Sequence, residues 1–265
     1  MLLPDSVSPL AVHFLRPPYL AFEPVESPAT LDGNALPLGA VLAVDVPDEW
    51  AWSAASEWVP RLRRQCPAAP VIVRLRRVPA ADASCLRRSA ELGVRAVLYE
   101  DEPPRETLQP ALTDPTSLTD GVEEWLALRG LRAPAAPVRL IVEIFRLAPA
   151  TPKLRLLVRA LGRPERTVRS WFERAGLPGP GAWLAAAHAT HAALRLQRER
   201  QKPLLTLAVE CGYSDHSSLS RQAVRLFGAR PGEIRQTLGW EGLLDRWLGR
   251  ATPGRGRARP AETRT

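Results

Sequence analysis

The sequence is short of cysteine, nearly without lysine and free of long apolar runs. Its 265 residues include three cysteines, Cys66, Cys85 and Cys211, with no Cys-x-x-Cys spacing. That scatter fits neither a disulfide framework nor a zinc cage, so no metal site is expected. No uninterrupted stretch of about 18 apolar residues occurs, which excludes a membrane-spanning helix and a membrane partner. The first residues, Met1 to Ser6, lack the basic-then-apolar pattern of a secretory signal, and a cytoplasmic protein is expected. No nucleophile–base pairing, metal cluster or phosphate-cradling loop is evident, so the expectation is a non-enzyme with no catalytic residues and no cofactor. Apolar residues still make up 45% of the chain, enough for one large or two medium domains with real cores.

Of the 36 basic residues only Lys153 and Lys202 are lysines, and the net charge is +8. That average hides a division. Residues 1–130 carry 12 Lys+Arg against 18 Asp+Glu, a net of −6, and residues 131–265 carry 24 against 10, a net of +14. A basic half on an acidic partner suggests an arm that meets a polyanion, with nucleic acid the leading candidate and a solvated basic surface the alternative. Arginine abundance can also echo genomic base composition, so abundance alone makes no arginine functional.

Residues 1–37 hold short apolar stretches, Ala11–Leu15 and Tyr19–Phe22, broken by prolines. Ala40–Val46, Val71–Leu75 and Val94–Tyr99 then read as buried strands. A helix from Pro47 to about Gln65 and another over Ala81–Leu92, stopped by Gly93, separate them. This βαβαβ alternation predicts an α/β unit with a parallel sheet, closed by a helix over Thr116–Leu131. Arg132–Pro137 reads as a linker. From Val138 to Leu248 every segment has helical period, and Ala251–Thr265 reads as a disordered, arginine-rich tail. The expected domains are 1–131 (α/β), 138–238 (all-α), a C-terminal helix over 239–249 and the tail 250–265.

The helical half repeats itself. Leu154, Leu157, Val158 and Leu161 stand at i, i+3, i+4 and i+7 before Gly162, and Leu204, Leu207, Ala208 and Cys211 repeat that spacing before Gly212, offset by 50. Each glycine predicts a left-handed stop, followed by a short turn and a second helix. These second helices are expected from about Pro164 to Ala175, with Val168 and Phe172 inward, and from about Asp215 to Phe227, with Leu219, Ala223 and Leu226 inward. Pro164 suits a first helical turn, and Ser214 or Asp215 suits a cap. Helix, glycine turn and helix, with Val158 or Ala208 at the crossing, is a helix-turn-helix pattern, over about 154–175 and again over 204–227. One copy could be a plain helical hairpin; two in register within a +14 half argue for DNA.

Residues 212–235 carry Gly212-Tyr213, Ser217, Leu219-Ser220-Arg221, Phe227-Gly228, Pro231 and Arg235. This pattern resembles the signature of the AraC/XylS family of bacterial transcription regulators. Leu161–Phe172 and Ala175-Gly176-Leu177 are similar to the family's first helix-turn-helix, so the resemblance covers about 138–238. Ala223 replaces an inward aromatic of the family pattern, Val224 a basic residue, Val158 an alanine and Pro164 a capping serine. The resemblance implies two subdomains on a linker helix, here about Ala182–Gln201, with both recognition helices in successive major grooves of double-stranded promoter DNA.

On the first recognition helix, Arg166, Arg169, Ser170 and Glu173 face away from the core positions; on the second, Ser217, Ser220, Arg221 and Val224 do so, with His216 at its start. Arg166 and Arg169 have the fork that takes guanine O6 and N7. Thr167, Ser170, His216, Ser217 and Ser218 are short or adaptable donors for bases or phosphates. Arg221 suits either role or a structural ion pair, and Arg174 and Arg225 suit phosphates. His188 and His191, three apart on the linker helix, have no third metal ligand near in sequence, which favours solvent or phosphate contact. Tail arginines Arg255, Arg257 and Arg259 would add only non-specific attraction.

Leu42–Asp45, Pro70–Val73, Glu91-Leu92-Gly93 and Val97–Tyr99 resemble the second half of a response-regulator receiver domain, with Asp45 at the phosphoacceptor position. Leu75 stands where that family has a hydroxyl residue and Glu100 where it has lysine, and residues 1–37 show no adjacent acidic pair for Mg²⁺. Without these groups nothing neutralises a transferring phosphoryl group. Asp45 therefore reads as a helix cap or surface carboxylate, and the domain as receiver-like but degenerate (flavodoxin-like, incomplete). The leading expectation is a sequence-specific regulator, with RNA polymerase and a second copy held through the N-terminal domain as candidate protein partners. The alternatives are a non-specific DNA-binding accessory protein and a response regulator phosphorylated at Asp45.

Overall fold

The computed structural model describes residues 10–26, 28, 31–47, 51–76, 82–131, 134–150, 153–160 and 162–252. The expected tail, residues 253–265 with Arg255, Arg257 and Arg259, lies outside them. Among the described residues the N-terminal half contains five strands: β1 (Val12–Leu15), β2 (Phe22–Pro24), β3 (Val41–Val46), β4 (Val71–Leu75) and β5 (Val97–Tyr99). They form one sheet in the order β2-β1-β3-β4-β5. As their unbroken apolar runs foretold, β3, β4 and β5 are parallel. The sheet is mixed, however, because β1 runs antiparallel to both β2 and β3. β1 and the edge strand β2 come from the short apolar stretches before residue 38, too brief to show a period by themselves.

Helices α1 (Ala51–Gln65), α2 (Asp82–Glu91) and α3 (Pro104–Leu112) accompany the sheet. Trp52, Ala55, Val59 and Leu62 of α1 pack on Leu42, Val44, Val71 and Val73. Strand side chains alternate between faces. Val41, Ala43 and Ile72 therefore turn the other way, towards Leu108 and Leu112 of α3. The reading from periodicity did not contain α3, whose Pro104 and Pro110 obscure the pattern.

The helix expected to close the α/β unit is α4 (Pro115–Leu128). Its apolar face does not join the sheet: Leu118, Val122, Trp125 and Leu126 belong to the core of the helical half. The expected linker is also short, since α5 (Ala135–Leu147) begins inside it. Beyond lie α6 (Leu154–Ala160), α7 (Glu165–Arg174), α8 (Pro180–Arg198), α9 (Leu204–Glu210), α10 (His216–Phe227), α11 (Pro231–Gln236) and α12 (Glu241–Ala251).

A polar and aromatic seam joins the halves. Tyr19 takes a left-handed φ of 68° and is fully buried. Its hydroxyl donates to the Gly39 carbonyl at 2.6 Å and accepts from the Leu238 N–H at 2.7 Å. Arg105 donates to the carbonyls of Gln236 at 3.1 Å and Arg235 at 3.3 Å. Arg95 pairs with Glu241 at 2.9 Å beneath the Trp240 ring, and Arg129 pairs with Asp245. These contacts tie residues 235–245 to the N-terminal half.

Candidate nucleic-acid interface

The repeat read from sequence is present in three dimensions. Helices α6 and α9 start at Leu154 and Leu204, each seven residues long. Gly162 (φ 60°) and Gly212 (φ 82°) follow in the left-handed region, where a Cβ is strained. The turns close alike: Arg163 N–H returns to Val158 O at 3.5 Å and Tyr213 N–H to Ala208 O at 2.9 Å. Both small crossing residues, Val158 and Ala208, are buried. Between the units runs α8, 19 residues long. Its buried alanines, Ala186, Ala187, Ala189, Ala192 and Ala193, let neighbouring helices approach closely.

Val168 and Phe172 of α7 are fully buried, which leaves Arg166, Arg169 and Arg174 exposed and Thr167 and Ser170 half-buried. On α10, Leu219, Ala223 and Phe227 are buried, while Leu226, expected inward, is only half-buried. Phe227 lies one turn beyond Ala223 on the same stripe and supplies the bulk that alanine lacks; Leu226 falls at the margin. His216, Arg221, Val224 and Arg225 are exposed, and Ser217, Ser218 and Ser220 half-buried.

The two recognition helices are capped differently. Asp215 accepts the Ser218 N–H at 2.7 Å at the start of α10, and this bond holds its carboxyl below the ordinary carboxylate range. At the other end Gly228 turns left-handed, and Arg250 of α12 donates to the Val224 carbonyl at 3.2 Å. Nothing in the sequence pattern links Arg250 to Val224, 26 positions away. The cap position of α7 is Pro164, which offers no side-chain bond; it precedes the first turn instead of lying within it.

Several candidate side chains already have partners. Arg169 pairs with Glu165 at 2.6 Å, an exposed i,i+4 contact. Such pairs are worth about 0.3–0.5 kcal/mol, less than the ~1–3 kcal/mol of a bidentate guanine contact, so DNA can displace it. Arg174 donates to the Ser170 carbonyl at 3.2 Å, and Arg221 to the Ser218 hydroxyl at 3.1 Å. His216 and Ser217 lie 3.5 Å apart. His191 is half-buried: its Nε2 lies 2.9 Å from the Phe145 carbonyl, and burial lowers its pKa. Among the described residues no group of three or more His, Cys, Asp or Glu is placed to hold a metal ion.

Asp45 is far from these helices. It lies on β3 with Arg74 at 2.6 Å and His13 at 3.0 Å, side chains about one-fifth exposed. It is thus an ion-paired strand carboxylate, neither a helix cap nor an open surface group. No helix among the described residues is long and apolar enough to cross a membrane.

Two helix-turn-helix units on one linking helix, with arginines on an exposed recognition face, define a DNA-binding helix-turn-helix module. Residues 157–237, under a third of the chain, match the family model described as a helix-turn-helix domain, which is of the AraC type. It supports a role in DNA-binding transcription regulation. The chain is also similar to the transcriptional regulator CdpR from Pseudomonas aeruginosa, at 18% identity and a TM-score of 0.34 over 75% of this chain and 68% of that one. No curated protein matches the chain.

Proposed function

We propose that the protein is a sequence-specific transcription regulator that places α7 and α10 in successive major grooves on one face of promoter DNA, where RNA polymerase would be its neighbour. The supporting observation is the pair of equivalent units at the two ends of α8. A 19-residue helix is about 28 Å long, close to the ~34 Å repeat of one face of B-DNA. In this reading Arg166 and Arg169 address guanines. Thr167, Ser170, His216, Ser217 and Ser218 supply shorter base or phosphate contacts, Arg221 serves either, and Arg174 and Arg225 hold phosphates. The N-terminal α/β unit, docked through Tyr19, Arg95 and Arg105, sets the orientation of the second unit.

Selection of bound genomic fragments, followed by competition against random duplex, tests the proposal. A shared motif and a preference of about 10³ or more over random DNA are expected. Recovery of no motif, with equal binding to all duplexes, would favour a non-specific accessory protein.

A further inference from the structure

Among the described residues, Val224 is the exposed large apolar side chain that stands on a recognition helix. It is 44% exposed, whereas Leu219, Ala223 and Phe227 of the same helix are buried. Ser217, Ser220, Arg221 and Val224 follow at i, i+3, i+4 and i+7, so they form one row along α10. Helix α10 itself carries no carboxylate, and Arg221 and Arg225 stand three before and one after the valine. The centre of a protein–protein interface is depleted of charge, whereas an apolar group set among cations suits a polyanion.

The side chain is held in place before any contact. The Val224 carbonyl accepts the Gly228 N–H at 2.9 Å and the Arg250 guanidinium at 3.2 Å, which ties down the last turn of α10. A β-branched side chain has essentially one rotamer in a helix, so both methyl groups point in a set direction. The row around it is polar: the Ser220 hydroxyl donates to the His216 carbonyl at 2.8 Å, and Arg221 donates to the Ser218 hydroxyl at 3.1 Å. Val224 has neither donor nor acceptor. It can therefore hold no phosphate and form no hydrogen bond with a base. The major groove presents one apolar group to such a side chain, the C5 methyl of thymine.

We propose that Val224 determines specificity at one base pair, by packing its methyl groups on the C5 methyl of a thymine. This rests on the placement of α10 in a major groove. Seven residues of helix separate Val224 from Ser217, about 10 Å, so the thymine lies roughly three base-pair steps from the bases that Ser217 meets. Cytosine at that position has no methyl group, and its amino donor would find no acceptor on valine.

The test replaces each thymine of a site recovered by selection, in turn, with deoxyuridine. The exchange removes the methyl group and leaves the pairing edge intact. In titrations of the full chain one position, in the half-site of α10, should lose about threefold to fourfold in affinity, roughly what burial of one methyl group is worth. Val224→Ala should bind the thymine site more weakly by about the same factor and should no longer distinguish thymine from deoxyuridine there. Alanine is the better helix former, so the melting temperature of the variant should not fall. A recovered motif in which no thymine preference changes in Val224→Ala would overturn the proposal while leaving sequence-specific reading by the other residues intact. That is also the result expected if Val224 met another protein instead of DNA. Recovery of no motif at all would overturn both.

Discussion

Helix α7 presents Arg166, Arg169 and Arg174 on a helix whose cap position is a proline without a side-chain bond. Helix α10 presents Arg221 and Arg225 among Ser217, Ser218 and Ser220, and is held by Asp215, Gly228 and Arg250. The second unit is followed directly by the seam residues 235–245, fixed to the sheet by Tyr19, Arg105 and Arg95. Reach and rigidity are therefore traded between the units. A long guanidinium can reach its target over a wider range of helix positions, whereas a serine hydroxyl reaches a base only from a helix placed accurately.

Removing the core of the first unit is the strongest way to break this comparison. Phe172→Ala should destabilise the protein by about 3–5 kcal/mol, measured by denaturant unfolding, because Phe172 is fully buried and its loss leaves a cavity in the helical core. DNA protection by the first unit should disappear before that of the second. On the recognition face, Arg166→Ala should lose about 1–3 kcal/mol of preference at one base position in a binding-site selection. Uniform weakening on every sequence would instead make Arg166 a phosphate contact.

Capping offers a finer comparison. Pro164→Ser should give α7 the cap that α10 has and raise stability by about 0.5–1 kcal/mol. Asp215→Ala should lower the melting temperature at neutral pH. The Asp215 carboxyl is depressed by its hydrogen bonds, chiefly that from Ser218 N–H, so its contribution is full above the ordinary carboxylate pKa. It fades as pH falls through the lowered value, and wild type and variant should converge there. The smallest effect is expected from Glu165→Gln, which releases Arg169 at a cost of about 0.3–0.5 kcal/mol in stability. A slight gain in DNA affinity should accompany it in titrations; a loss would mean that Glu165 positions Arg169 for binding.

The repeat was legible because it is local. Apolar spacing within one helix and a glycine at its end survive in sequence as fixed offsets, and α6, α7, α9 and α10 all lie where those offsets put them. The three parallel strands were legible for the same reason, as short apolar runs, of which β3 and β4 are buried on both faces. What escaped depends on distant pairing. β1 and β2 are too short to have a period and are defined by β3. α4 was assigned to the sheet, yet Trp125 meets Trp240, more than a hundred residues away. Arg250 over the end of α10 and Tyr19 beneath Leu238 likewise have no signal along the chain. At the interface the exposed residues of both recognition helices could be assigned by face, but the pairing of Arg169 with Glu165 and the burial of His191 needed the neighbours.

Hydroxyl-radical footprinting on a site recovered by selection tests the central claim most directly. Two protected patches are predicted on one face of the duplex, about 10 base pairs apart, one weakened by Arg166→Ala and the other by Ser217→Ala. A single patch, or protection that follows no fixed sequence, would contradict the account.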